Sequence, residues 1–322
     1  MATYYETKGQ KIQVFASDPT DLTQGQVWYN ATSNALKVYV KVVDAWSTGG
    51  NLSIGRTKLG GAGTQTAGLA FGGQISGGST AATEEYDGSV WSPGGNLNTS
   101  RMYLAGCGTQ TLGLAFGGYT TVNSAATEEY GGSTWTAGGN LATARRYISG
   151  CGTQTSGLGI AGFSTVRTQL TEEYDGSVWS AGGTYPIATS QTAACGTQTA
   201  GLAFGGSSPP GSAVATTNEY DGSTWTAGGN LPATKQLMGG AGTQTAGLGF
   251  GGPGGSPNAT TQKYDGTSWS ITGSLITGRI ALAGAGTQTA GLAFGGSPYS
   301  VLTEEFNGGP TGALIPATIT QI

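Results

Sequence analysis

Hydrophobic positions along most of this chain come in runs too short for helices. Stretches such as GLAF and TEEY are bounded by Gly-Gly, Asp-Gly or Thr-Gln-Thr, and no helical period of useful length develops. The pattern predicts short β-strands, four to a unit. In the second unit these are about 102–108, 113–116, 127–130 and a strand carrying Trp135. Thr-Gln-Thr turns the chain after the first strand. Gly131-Gly132, replaced by Asp-Gly in four other units, makes a tight hairpin between the third and fourth.

The unit recurs six times. The first Thr of GTQT falls at Thr64, Thr109, Thr153, Thr197, Thr243 and Thr287, in steps of 44 to 46 residues. Trp46, Trp91, Trp135, Trp179, Trp225 and Trp269 form a second series; Tyr86, Tyr130, Tyr174, Tyr220, Tyr264 and Phe306 form a third. Only the loop between the di-glycine and the Tyr changes length, from 9 to 13 residues. Periods of this size mark solenoids, propellers or arrays. Four antiparallel strands per unit, six units in all, predict an all-β, six-bladed propeller.

The order of a basic residue, a small-residue strand, FGG, EEYDG, Trp and GGNL is similar to the kelch repeat, in which a di-glycine precedes a spaced Tyr and Trp. The likeness covers roughly 42–306. It departs at Ile160-Ala161-Gly162, and in using Ala, Gly and Cys where the first strand is usually bulky. Phe306 is followed by no Trp, whereas Trp46 has no preceding repeat. The N-terminal Trp46 strand is therefore expected to join the C-terminal repeat and remove an exposed sheet edge. Two segments, 36–43 and 302–306, compete for third place in that closing blade; the charge pattern favours the second.

Arg56, Arg101, Arg145, Thr189, Lys235 and Arg279 occupy one repeat position, and Glu84, Glu128, Glu172, Asn218, Gln262 and Glu304 another. Each unit with Arg has Glu, and the two units without Arg lack that Glu. The match predicts structural ion pairs Arg56–Glu84, Arg101–Glu128, Arg145–Glu172 and Arg279–Glu304, because an unpaired buried charge is costly. The rival reading is an arginine cluster that binds an anion. Sialidases resemble the fold and use such a cluster, but their S-x-D-x-G-x-x-W box is absent. Cys107, Cys151 and Cys195 share a position with Ala62, Ala241 and Ala285, as small buried residues do; a three-thiol metal site has no CxxC spacing behind it.

In an up-and-down blade, loops alternate between two faces. TQT and Asp-Gly turns share one face and the variable loops the other. TQT reads as turn chemistry, with a ring of six glutamines contacting a partner as the alternative. The variable loops are polar and Pro-containing, and Tyr119, Arg167 and Tyr299 are their candidate recognition residues, suited to a glycan or protein surface.

Composition removes several functions. There is no histidine, hence no Ser-His-Asp or Cys-His site and none of the histidine ligands of kelch-type copper oxidases. GTQTAG lacks a P-loop lysine. Adjacent Glu residues on a strand point to opposite faces and make poor acid–base partners. The expectation is no enzyme, no metal and no cofactor. A net charge of −4 without a basic run argues against nucleic acid, and no 18-residue apolar run is present to insert in a membrane. The first ten residues lack the apolar core of a signal peptide.

Residues 1–40 differ in composition and read as a strand, a loop and a hairpin; 41–306 carry the propeller and 307–322 a C-terminal tail. GQVWYNATSNALKVYV resembles stretches in phage virion proteins, where such a segment opens fibre or appendage subunits. The resemblance implies a non-enzymatic virion structural protein, assembled in the host cytoplasm. Its arm would attach to other virion proteins, and its propeller would meet a host-surface glycan or protein through the variable-loop face. A homo-oligomer is compatible with this. The alternatives are a capsid decoration or tail-assembly packing protein, and a glycan-acting propeller enzyme.

Overall fold

The structure is a computed structural model that describes residues 6–7, 10–19, 26–40, 44–253, 259–308 and 313–316. Among these, every regular element is a strand. The chain divides into two units, Ala45–Asn307 on one side and 1–44 with 308–322 on the other.

Within Ala45–Asn307 the short runs form six four-stranded antiparallel sheets. The first contains Gly60–Gly63, Gly68–Phe71, Thr83–Tyr86 and Trp91–Pro93, paired in that order. The second is the same with Ala105–Gly108, Gly113–Phe116, Thr127–Tyr130 and Trp135–Ala137. Its first strand starts at Ala105 instead of 102, because Tyr103 takes a left-handed backbone (φ 58°) that no strand can continue. The sixth sheet joins the two ends of the unit. Ala283–Gly286, Ala290–Phe294 and Thr303–Asn307 are completed by Ala45–Thr48, with Trp46 opposite Phe306.

Each sheet buries the last four residues of its second strand: Leu69, Ala70 and Phe71 are 0% exposed, as are their counterparts Leu202, Ala203 and Phe204. Tyr and Trp then stack, as in Tyr130 on Trp135 at 5.0 Å. Close packing explains the di-glycines of GGNL: a Cβ on Gly95 would lie 2.0 Å from the Ser133 carbonyl oxygen of the next repeat. The Asp-Gly and TQT turns do sit together; a Cβ on Gly88 would lie 3.4 Å from Thr66 Cβ. At the opposite end Thr57 bridges Gln74, and Met102 bridges Tyr119, so the variable loops lie beside the entry to the first strand.

The second unit has its own sheet. Gln13–Phe15 pairs parallel with Val27–Asn30, which forms a hairpin with Ala35–Val40. Asp18 holds it, accepting from Trp28 Nε1 (3.1 Å) and Asn30 Nδ2 (2.6 Å) and pairing with Lys37 at 2.7 Å. The expected boundary after residue 40 moves to Asp44, and the expected tail is not separate. Ala313–Pro316 pairs antiparallel with Ala35–Val40, satisfying an edge that would otherwise stay open. That pairing also occupies the segment that competed for the closing sheet; residues 41–43 of it lie outside the described residues.

Candidate functional site

The site is built on a frame held by buried ion pairs. Arg56, Arg101, Arg145 and Arg279 meet Glu84, Glu128, Glu172 and Glu304 at 2.7, 2.8, 2.7 and 2.9 Å. All eight residues are buried. Arg56 Nη1 also donates to the Gly72 and Ala82 carbonyls, while Glu84 Oε2 accepts from Ser53 N and Oγ. Burial pulls the guanidinium pKa values down, and the Glu partners pull them back. These arginines tie strands together and face no open cavity; they are not an anion-binding cluster. In the fourth repeat, where both charges are missing, Tyr185 stands in the place of Leu97 and Leu141. Its hydroxyl accepts from Asn218 Nδ2 at 3.0 Å, while Thr189 Oγ1 donates to Ser207 O. The bulk lost with Arg is regained from a neighbouring position.

GTQT is a device for joining repeats. Its Thr accepts from the backbone three residues on, as Thr64 Oγ1 does from Ala67 N. Its Gln reaches into the preceding repeat: Gln110 Nε2 donates to Gly68 O (3.2 Å) and Tyr86 O (2.6 Å). Gln154, Gln198, Gln244 and Gln288 do the same, and Gln65 donates to Gly291 O and Phe306 O of the sixth sheet. A Trp bond crosses each junction and a Tyr bond crosses five of the six. Trp Nε1 donates to a Thr Oγ1 of the preceding repeat, as Trp135 does to Thr83 and Trp91 to Thr303, both at 2.9 Å. The Tyr hydroxyl donates to the second Glu of the preceding EEY, as Tyr86 does to Glu305 at 2.6 Å. Desolvation, helped by the Glu, pushes these tyrosines up to about 12. The one junction with Phe306 for Tyr has Lys263 for Glu, and Lys263 Nζ lies 5.2 Å from the Phe306 ring centre.

The position four residues before each Ala or Cys behaves differently. Lys58, Tyr103, Tyr147, Gln191, Leu237 and Ala281 all have φ between 53° and 61°. Their backbones form a chain of hydrogen bonds that returns to its start. Tyr103 N donates to Lys58 O, Tyr147 to Tyr103, Gln191 to Tyr147, Leu237 to Gln191, Ala281 to Leu237 and Lys58 to Ala281, at 2.9 to 3.1 Å. A left-handed backbone costs an L-residue about 1–2 kcal/mol, and glycine relieves it. This chain contains 61 glycines. None stands here, although six of the nine non-glycine residues with positive φ among the described residues do.

The six side chains line a cavity on the variable-loop side, floored by Leu59, Leu104, Ile148 and Met238. On one side of it lies a continuous stack. Lys58 Nζ is 4.6 Å above the Tyr103 ring, and Tyr103 and Tyr147 lie 4.0 Å apart. The Arg146 guanidinium is 5.7 Å from Tyr147, 4.8 Å from Tyr119 and 4.9 Å from Phe163. Burial holds the Tyr147 hydroxyl neutral, at about 12. The Gly, Ala and Cys of the six first strands line a further cavity. Burial pushes the Cys107 and Cys195 thiols up, and Cys151 to about 12. No group of three metal-ligating side chains occurs among the described residues.

Of the three loop residues singled out from sequence, the structure brings only Tyr119 into this stack. Arg167 lies at the fourth repeat's loop, donating to Ser207 Oγ at 3.0 Å. Tyr299 is 40% exposed in the sixth repeat's loop, where its carbonyl backs onto Gly55. Residues 254–258 of the fifth loop lie outside the described residues. Sequence reading missed Lys58, Tyr103, Arg146, Tyr147 and Phe163.

No family model matches the chain, and no curated protein matches it. Many solved structures do. One, titled "Structure of YjhT", aligns with a TM-score of 0.68 at 12% identity, over 84% of this chain and all of its own. At that identity the likeness is one of fold, and it places the chain among β-propeller-like all-β proteins.

Proposed function

We propose that Ala45–Asn307 is a six-bladed kelch-like propeller, closed by the pairing of the Trp46 strand with Thr303–Asn307. We read the whole protein as a non-enzymatic phage virion protein, assembled in the host cytoplasm. Its propeller presents the variable-loop face to a host-surface glycan or protein, and the 1–40 segment attaches it to other virion proteins. One observation carries the recognition reading: six positions that favour glycine hold six side chains of five different kinds around one cavity. A fixed frame with variable side chains at its mouth is how rigid scaffolds carry recognition. The virion assignment rests on the likeness of GQVWYNATSNALKVYV to phage structural proteins. The non-enzymatic reading rests on the lack of histidine. Labelled full-length protein should adhere to host cells, and imaging of particles should place it on an appendage. A packing block would give no adhesion. Hydrolysis of a host polysaccharide would replace this reading with that of a glycan-acting enzyme.

A further inference from the structure

We infer that the axial cavity is a binding site for a saccharide that carries a negative charge, held among Lys58, Tyr103, Tyr147 and Gln191, with Arg146 backing Tyr147. The inference rests on the recognition reading above and narrows it to one place and one ligand class.

Charge in the repeat unit is divided between its faces. Up to the start of the third strand, the six variable loops contain no Asp or Glu. The Asp-Gly turns on the other face carry Asp87, Asp175, Asp221 and Asp265, all exposed and each accepting local backbone N–H groups. On the loop face lie Lys58, Arg146 and Arg167. Among the described residues none of them has a carboxylate partner, whereas Arg56, Arg101, Arg145 and Arg279 all do. The chain is acidic as a whole, so this face is where an anion meets the least repulsion.

Arg146 is the more telling cation. Three aromatic rings surround its guanidinium, and its Nε is buried without a hydrogen-bond partner. The Nε groups of Arg56, Arg101, Arg145 and Arg167 are buried unpartnered too, so the three rings are what set Arg146 apart. The guanidinium offers a fork suited to a planar carboxylate or to phosphate. Lys58 supplies a second charge, held by Gln74 and the Tyr103 ring. The phenol rings between the two cations are stacked on them and on each other, which leaves their edges and polar tips for a ligand, and Gln191 stands next in the ring. Phenols, an amide and an ammonium lining one cavity fit the hydroxyls and the acid group of a saccharide. Single-stranded nucleic acid also stacks on aromatics, but it is held by a basic groove that tracks many phosphates. Three cations on a chain of net charge −4 do not make one.

The test uses the full chain in calorimetric titrations. The probes are oligogalacturonate, polysialic acid and a phosphorylated polysaccharide, each beside its carboxyl-reduced or dephosphorylated counterpart; the two kinds of counterpart tell carboxylate from phosphate. The charged form should bind at least about tenfold more tightly than its neutral counterpart. Arg146→Gln, Lys58→Gly and Tyr103→Gly should each weaken binding by about tenfold, while Asp221→Asn on the opposite face leaves it unchanged. The two glycine variants suit the left-handed backbone, so loss of binding in them is not loss of fold. Equal binding of the neutral forms, wild-type binding by the variants, or preference for single-stranded DNA would overturn the assignment. Adhesion to host cells that ignores both the variants and competing acidic saccharide would overturn it too, and leave the recognition reading standing. Absence of adhesion with retained saccharide binding would do the reverse.

Discussion

Two sets of positions repeat in this molecule, and they differ in what is held constant. At the junctions between repeats the side chains are constant. Gln appears six times, Trp six times, its Thr partner six times and the Tyr–Glu pair five times, with Lys263 and Phe306 changing together in the sixth. At the six left-handed positions the backbone is constant and the side chains are not: one φ and one hydrogen-bond pattern, but Lys, Tyr, Tyr, Gln, Leu and Ala. The first set is what a junction of fixed geometry demands, since a lost partner there strands a buried group. The second set is free to differ because its side chains point into a cavity, and that freedom is where recognition is to be sought.

The largest effects should come from breaking the frame. Glu128→Ala leaves Arg101 as an uncompensated buried charge, and urea unfolding should show a loss of about 3–5 kcal/mol. The triple replacement Arg101→Thr, Glu128→Asn and Leu97→Tyr copies the fourth repeat into the second; it should recover most of that loss, and a variant no better than Glu128→Ala would break the equivalence of the two solutions. Gln154→Ala strips a partner from the Gly113 and Tyr130 carbonyls and should cost about 1–3 kcal/mol. The Asp18 cluster gives a smaller, pH-dependent effect. Its hydrogen bonds to Lys37 and Asn30 lower the Asp18 pKa from 3.8 to about 2. A lowered carboxylate pKa stabilises above the unfolded value and the gain fades as pH falls through the folded one. Amide exchange in the Val27–Asn30 hairpin should therefore quicken between about pH 4 and pH 2, and Asp18→Asn should remove that dependence. Smallest of all, Cys107, Cys151 and Cys195 should resist alkylation at neutral pH in the folded protein and react on unfolding, because burial keeps the thiols protonated.

The frame was legible in the sequence wherever two partners sit in the same repeat. The absence of Arg and Glu together from the fourth and fifth repeats pointed to the buried pairs, and the orphan Trp46 pointed to Phe306. Partners in different repeats were harder to see. Tyr86 meets Glu305, and Lys263 meets Phe306, so their joint change becomes visible only when neighbouring repeats are compared. The axial stack left no sequence mark, because a left-handed position filled by six different residues looks like an unimportant one. Pairing of Ala313–Pro316 with Ala35–Val40 joins distant segments that share no motif.

The contrast between frame and mouth is tested most directly by one paired measurement: thermal unfolding and host-cell adhesion of Tyr103→Gly/Tyr147→Gly beside Gln154→Ala. The double variant should keep its stability to within about 1 kcal/mol, since glycine relieves the left-handed strain, and should lose adhesion. Gln154→Ala should melt earlier and still adhere below its transition. A double variant that unfolds early, or that adheres as the wild type does, would contradict the account.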